Sequence, residues 1–211
     1  IVVLKTTGPH MEFWQIVRAG ISEAATEFNV DPAIVGPRWE RDIDRQIEIL
    51  ANVIEQSPDA ILLAASDYNR LVPLAERAAA EGITIVTLDS ALNSDVPVSF
   101  VATDNVEAGI KAGREIDQLV PEDRPVAIVS HIPEVATAID REKGVRQALS
   151  HRNDELILGT FYSNNEHDRA YAIAEDLATE YPDLGGIVAL NENSTVGVGR
   201  ALRDLEVYER V

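Results

Sequence analysis

Two rhythms of apolar residues alternate along this chain. Short apolar runs, such as Ile1-Val2-Val3-Leu4, are separated by stretches in which apolar residues recur every three or four positions. That alternation predicts a parallel α/β sheet, strands buried on both faces and helices covering them. Residues 1–5 read as the first strand and 12–28 as a helix with Ile16, Ala19, Gly20 and Ala24 on one stripe. Residues 33–35 read as a weak strand, and 42–56 as a helix with Ile43, Ile47, Leu50, Val53 and Ile54 on one side. A buried strand over 60–64, a helix over 68–81 and a strand over 83–88 follow. Gly82 stands where the helix end calls for a left-handed residue. Residues 98–102 are the next strand and 106–119 the next helix.

The rhythm then restarts, with strands over 125–130, 156–161 and 186–190 and helices over 138–149, 167–180 and 195–205. The expected fold is α/β: two doubly wound parallel-sheet lobes, an N-terminal lobe over 1–103 and a C-terminal lobe over 104–211, joined near 102–105. No sequence repeat relates the halves. Residues 207–211 read as the run-up to another strand, so the second lobe is expected to be incomplete and the chain to continue in a longer protein.

In such sheets ligands bind beyond the carboxyl ends of the strands. Several residues fall at that edge: Lys5, Asp89, Thr103, Asp104 and Asn191 after strands, Phe13 and Trp14 in the first β–α turn, and Arg141 early in a helix of the second lobe. Adjacent helical residues differ by about 100° around the axis. One of Phe13 and Trp14 should therefore face the core, and the other can cover a ligand's flat face, unless both only pack. Asp89 offers carboxylate oxygens to paired hydroxyls, or caps a turn with Ser90. Asp104 or Asn105 is an N-cap for the helix that follows, Asn191 can donate and accept at once, and Lys5 and Arg141 are either donors to a ligand or plain surface cations.

Composition narrows the function. Eighteen basic against thirty-six acidic residues give a net charge of -18, which disfavours nucleic acid and anionic membrane as partners of this segment. There is no cysteine, so thiolate chemistry and disulfides are excluded. The four histidines, His10, His131, His151 and His167, have no metal-ligand spacing. Neither a GxSxG elbow nor a glycine-rich phosphate loop is present. No cofactor, no metal and no catalysis are expected.

Taken in order, Phe13-Trp14, Pro58-Asp59-Ala60-Ile61, Gly82-Ile83 leading to Leu88-Asp89, Thr103-Asp104-Asn105 with Gly109, Arg141-Glu142-Lys143-Gly144, and Pro182-Asp183 leading to Asn191-Glu192 resemble the type I periplasmic sugar-binding proteins, the ribose-binding-like solute receptors of ABC transporters. The resemblance implies two hinged lobes with ligand held between them. By that resemblance Phe13 and Trp14 flank a sugar ring, Asp89, Arg141 and Asn191 bond its hydroxyls, and Thr103 and Asp104 line the hinge side. Ser90 stands where ribose receptors often carry a basic residue, Met11 where they often carry an amide, and Ala64 at a position polar in them. These departures argue against simple ribose specificity.

The expectation is therefore an extracytoplasmic binding protein, periplasmic or a cell-surface lipoprotein, monomeric, delivering a monosaccharide or polyol to an ABC transporter permease. The rival readings are the effector-binding domain of a LacI-type repressor and the sugar-sensing ectodomain of a sensor kinase.

Overall fold

The computed structural model describes residues 1–9, 11–208 and 210–211; His10 lies outside the described residues. The chain forms two compact units, one of Ile1–Ala102 with Glu134–Ala136, the other of Thr103–Pro133 with Thr137–Val211.

The first unit is built on β1 (Val2–Val3), α1 (Glu12–Phe28), β2 (Ile34–Val35), α2 (Ile43–Ile54), β3 (Ala60–Leu63), α3 (Val72–Ala80), β4 (Thr84–Leu88) and β5 (Ser99–Val101). Its five strands run in the order β2-β1-β3-β4-β5, all neighbours parallel. Alternate strand residues go to opposite faces. Val3, Ile61, Leu63 and Ile85 meet Leu50, Val53 and Ile54 of α2 and Leu71, Ala75 and Ala78 beside and within α3. Val2, Leu4, Leu62 and Ala64 meet Trp14, Val17 and Ile21 of α1.

The second unit holds α4 (Asn105–Leu119), β6 (Val126–Ser130), α5 (Ala136–Ala148), β7 (Ile157–Tyr162), α6 (His167–Glu180), β8 (Gly186–Ala189) and α7 (Glu192–Asp204). Its parallel sheet has the order β7-β6-β8. The same alternation sends Ala127 and Val129 toward α6 and α7, and Val126, Ile128 and Val188 toward Val145 and Leu149 on the α5 side.

Parallel strands with crossover helices align every carboxyl end along one edge of each sheet, as the alternating pattern predicts. Helix α1 keeps its expected bounds, and Gly82 has the expected left-handed backbone, φ 85°. Three expectations need correction. The stripe Ile16, Ala19, Gly20 and Ala24 of α1 is exposed, and the buried side is Trp14 with the partly buried Val17 and Ile21. Helix α3 begins at Val72 rather than at residue 68, because buried Asp67 accepts from the backbone N–H of Asn69 and Arg70 in a turn, and Pro73 then opens the helix. The described residues of 207–211 form turns, with Val207 N–H donating to Leu202 and Val211 N–H to Val207, and no strand.

Candidate functional site

Each unit gathers hydrogen-bonding groups at the carboxyl edge of its sheet. In the first unit, Lys5 lies two residues past β1. It is not a surface lysine: the residue is 1% exposed, with its Nζ 2.7 Å from Asp89 Oδ2 and 3.6 Å from Glu40 Oε1. Asp89 is the first residue after β4 and has a left-handed backbone, φ 62°, a region aspartate tolerates better than most residues. Its N–H donates to Val101 O at 2.9 Å, and Ser90 Oγ donates to its Oδ2 at 3.3 Å. One ammonium between two carboxylates leaves this group with a net charge of about -1 when all are ionised. Burial pushes the Glu40 carboxyl above its ordinary range; Lys5 pulls it down, Asp89 pushes it up, and a weak interaction with the Trp14 indole pulls it down. Trp14 Nε1 itself is buried without a hydrogen bond of full geometry.

Backbone ties hold this group in place. Gln46, fully buried on α2, donates through Nε2 to Leu4 O and Ala64 O at 3.0 and 2.8 Å and accepts from Ser66 N–H at 2.8 Å. It satisfies the carbonyls left unpaired where β1 and β3 end. Thr6 Oγ1 donates to Arg38 O at 2.7 Å, tying the exit of β1 to the loop that carries Glu40. The aromatic pair divides as helical geometry requires: Trp14 is 2% exposed and Phe13 43%, the rings meeting edge to face at 5.0 Å. Lys5 Nζ lies 6.0 Å from the Trp14 ring centroid.

In the second unit the close approach of two helices sets the geometry. A Cβ on Gly109 of α4 would fall 2.1 Å from Arg141 O, and one on Gly144 of α5 would fall 2.1 Å from Val106 O. Only glycines allow backbones this close. The contact lets Arg141 Nε donate to Asn105 Oδ1 at 2.8 Å while its Nη1 donates to Leu190 O at 2.7 Å, just past β8. Asp104 is the N-cap of α4, accepting from Glu107 N–H at 2.9 Å. Asn105 is buried and donates to Thr103 O at 3.0 Å. Thr103 and Asp104 are exposed. Burial raises the Asp140 carboxyl above its ordinary range, against the pull of Lys143 and with a push from Asp104.

Asn191 is the N-cap of α7: its Oδ1 accepts from Ser194 N–H at 3.1 Å and its Nδ2 donates to Asn165 Oδ1 at 2.7 Å. Asn165, beyond β7 with φ 62°, also accepts Asn193 Nδ2 on its carbonyl at 2.7 Å, and Asn193 Oδ1 lies 2.6 Å from His167 Nε2.

Lys5, Phe13, Trp14 and Asp89 thus stand together in the first unit, and Thr103, Asp104, Arg141 and Asn191 in the second. Sequence reasoning overlooked Glu40, Gln46, Asn165 and Asn193. Position alone could have flagged Asn165 and Glu40, which follow the ends of β7 and β2; nothing in the sequence marked Gln46 on its helix. Among the described residues, no cluster of three or more potential ligands could hold a metal ion.

Two parallel α/β units with polar groups fixed at the strand ends define the class of the solute-binding receptors. A family model for the periplasmic binding protein domain matches residues 1–211, and the chain belongs to that family, among the type I sugar-binding proteins. It is 26% identical over 175 residues to the D-ribose/D-allose-binding protein of Pseudomonas aeruginosa, covering 80% of this chain and 54% of that protein. The chain thus spans about half the length of that relative. The crystal structure of a sugar transporter from Clostridium phytofermentans superposes with a TM-score of 0.95 at 32% identity, over 100% of this chain and 77% of that one. A carbohydrate transporter solute-binding protein from Agrobacterium radiobacter, in complex with D-arabinose, gives 0.90 at 26% identity, over 100% and 72%.

Proposed function

We propose that this chain is the ligand-capturing part of an extracytoplasmic solute-binding protein that takes up a monosaccharide or related polyol and delivers it to an ABC transporter permease. The observation that carries the reading is the pair of pre-held polar sets at the two carboxyl edges: Asp89, held by Lys5, in the unit that also carries the exposed Phe13 ring, and Arg141 and Asn191 in the other. Aromatic faces suit the apolar side of a sugar ring, and fixed carboxylate, guanidinium and amide groups suit its hydroxyls. Relatives are named for ribose and allose, and related structures hold D-arabinose, D-allose and D-fucose.

In this reading Phe13, Asp89, Arg141 and Asn191 contact the ligand. Lys5 and Trp14 support Asp89 and Phe13 from behind, and Thr103 and Asp104 border the contact at the start of α4. A ligand gripped by both units favours the closed form over the open one by its extra contacts there, with no covalent step. A thermal-shift screen of the full-length protein over pentoses, hexoses, xylitol and inositols tests it. Stabilisation by at least one of these is expected. Stabilisation by an amino acid or nucleobase alone overturns the reading.

A further inference from the structure

The first unit carries a device that the ligand contacts do not account for. A lysine at 1% exposure is costly to keep charged unless carboxylates compensate it, and here there are two. Their placement is unequal. Glu40 is buried at 3.6 Å from Lys5, whereas Asp89 makes the short contact of 2.7 Å and keeps 15% of its side chain accessible. Both groups that reach Asp89, Lys5 Nζ and Ser90 Oγ, do so at Oδ2. Oδ1 receives no hydrogen bond from the described residues.

We propose that Lys5, backed by Glu40, is a positioning residue that locks Asp89 through Oδ2 and so presents Oδ1 as the single carboxylate oxygen offered to a ligand hydroxyl. The inference rests on the sugar-binding reading and sharpens it. A carboxylate with both oxygens free can rotate about χ2 and accept hydroxyls at several positions. With one oxygen tied down it accepts in one direction only, so it selects the sugar that places a hydroxyl there. Because the Lys5 charge is already shared by two carboxylates, no unspent cation stands beside Oδ1, and this subsite fits a neutral hydroxyl rather than the acidic group of a sugar acid or sugar phosphate.

The test is calorimetric titration of the full-length protein with D-allose, each of its monodeoxy analogues, and D-glucuronate. Wild type is compared with Lys5→Met and with Lys5→Met/Glu40→Gln; the double variant removes the stranded charge that could unfold the single one, and circular dichroism confirms its fold. Wild type should bind D-allose, reject at least one monodeoxy analogue by about tenfold or more, and give no heat with the uronate. Both variants should bind D-allose about tenfold more weakly, and their discrimination against that analogue should shrink to under about threefold. A lysine that mattered only for folding would weaken D-allose and its analogues alike and leave the ratio intact. Folded variants that keep the wild-type ratio overturn this inference alone. A wild type that binds none of the pentoses, hexoses, xylitol and inositols of the thermal-shift screen overturns the sugar-binding reading and this inference with it.

Discussion

Gly109→Ala puts the geometry of the second unit to the test. The added Cβ would lie 2.1 Å from Arg141 O, 2.8 Å from its carbonyl carbon and 2.9 Å from its Cα. All three are backbone atoms, so no side chain can swing away. Ordinary contact begins near 3.4 Å, and α4 and α5 must part by about 1 Å to reach it. The Arg141–Asn105 bond of 2.8 Å spans the same contact and would stretch out of hydrogen-bond range. Overpacking of this kind costs about 1–3 kcal/mol, and losing a hydrogen bond to a charged group adds about 1.5–3 kcal/mol. Both tryptophans, Trp14 and Trp39, lie in the first unit, so fluorescence is blind to the change. Urea unfolding followed by far-ultraviolet circular dichroism, with hydrogen exchange along α4 and α5, reports it. In a parallel thermal melt, the midpoint temperature of a unit near 100 residues should fall by roughly 10 °C or more. Gly199→Ala on α7, where an added Cβ meets nothing within 4 Å, is the control and should be neutral or stabilising by up to about 1 kcal/mol. A Gly109→Ala protein within about 0.5 kcal/mol of wild type would refute the argument.

Trp14→Ala should cost about 3–5 kcal/mol of stability, as a deleted core aromatic does, while Phe13→Ala should cost under about 1 kcal/mol yet weaken sugar binding about tenfold. Denaturation and calorimetry of the two variants separate these roles, and equal stability losses would contradict the division. The Glu40 carboxyl titrates above its unfolded value, so its contribution to stability is fully present below about pH 4.3 and is lost as pH rises through the raised folded value. Wild type should therefore lose stability relative to Glu40→Gln as pH climbs through that window, and a pH-independent difference between the two would show that Glu40 is not held neutral-favouring by burial.

Much of this architecture could be read from spacing. The succession of strands and helices along the chain followed from the alternation of runs, and α1 kept its expected bounds from residue 12 to residue 28. The face that α1 buries could not be read so. Ile16, Ala19, Gly20 and Ala24 make as regular a stripe as Trp14, Val17 and Ile21, and only packing against Val2 and Leu4 distinguishes them. Asp67 likewise looked like an ordinary residue before a helix. Its carboxylate holds a turn that delays α3, a local competition that hydrophobic period does not register. At the site, the half-buried groups Asp89 and Asn191 announced themselves by following strands. The groups around them were not legible: Glu40 reaches Lys5 at 3.6 Å and Gln46 ties the ends of β1 and β3 from segments remote in sequence, and Asn165 meets Asn191 and Asn193 at 2.7 Å only because the fold brings the ends of β7 and β8 together.

The central claim is that one sugar is held by groups from both units. Calorimetry of the full-length protein with its best sugar from the screen, against Asp89→Ala and Arg141→Ala, tests it most directly. Each substitution strips a fixed hydrogen-bonding group from a different unit, so each should weaken the same sugar by about one to two orders of magnitude, with both variants folded. Full affinity in either folded variant would show that its unit does not grip the ligand through the residue assigned here, and would contradict capture by two units.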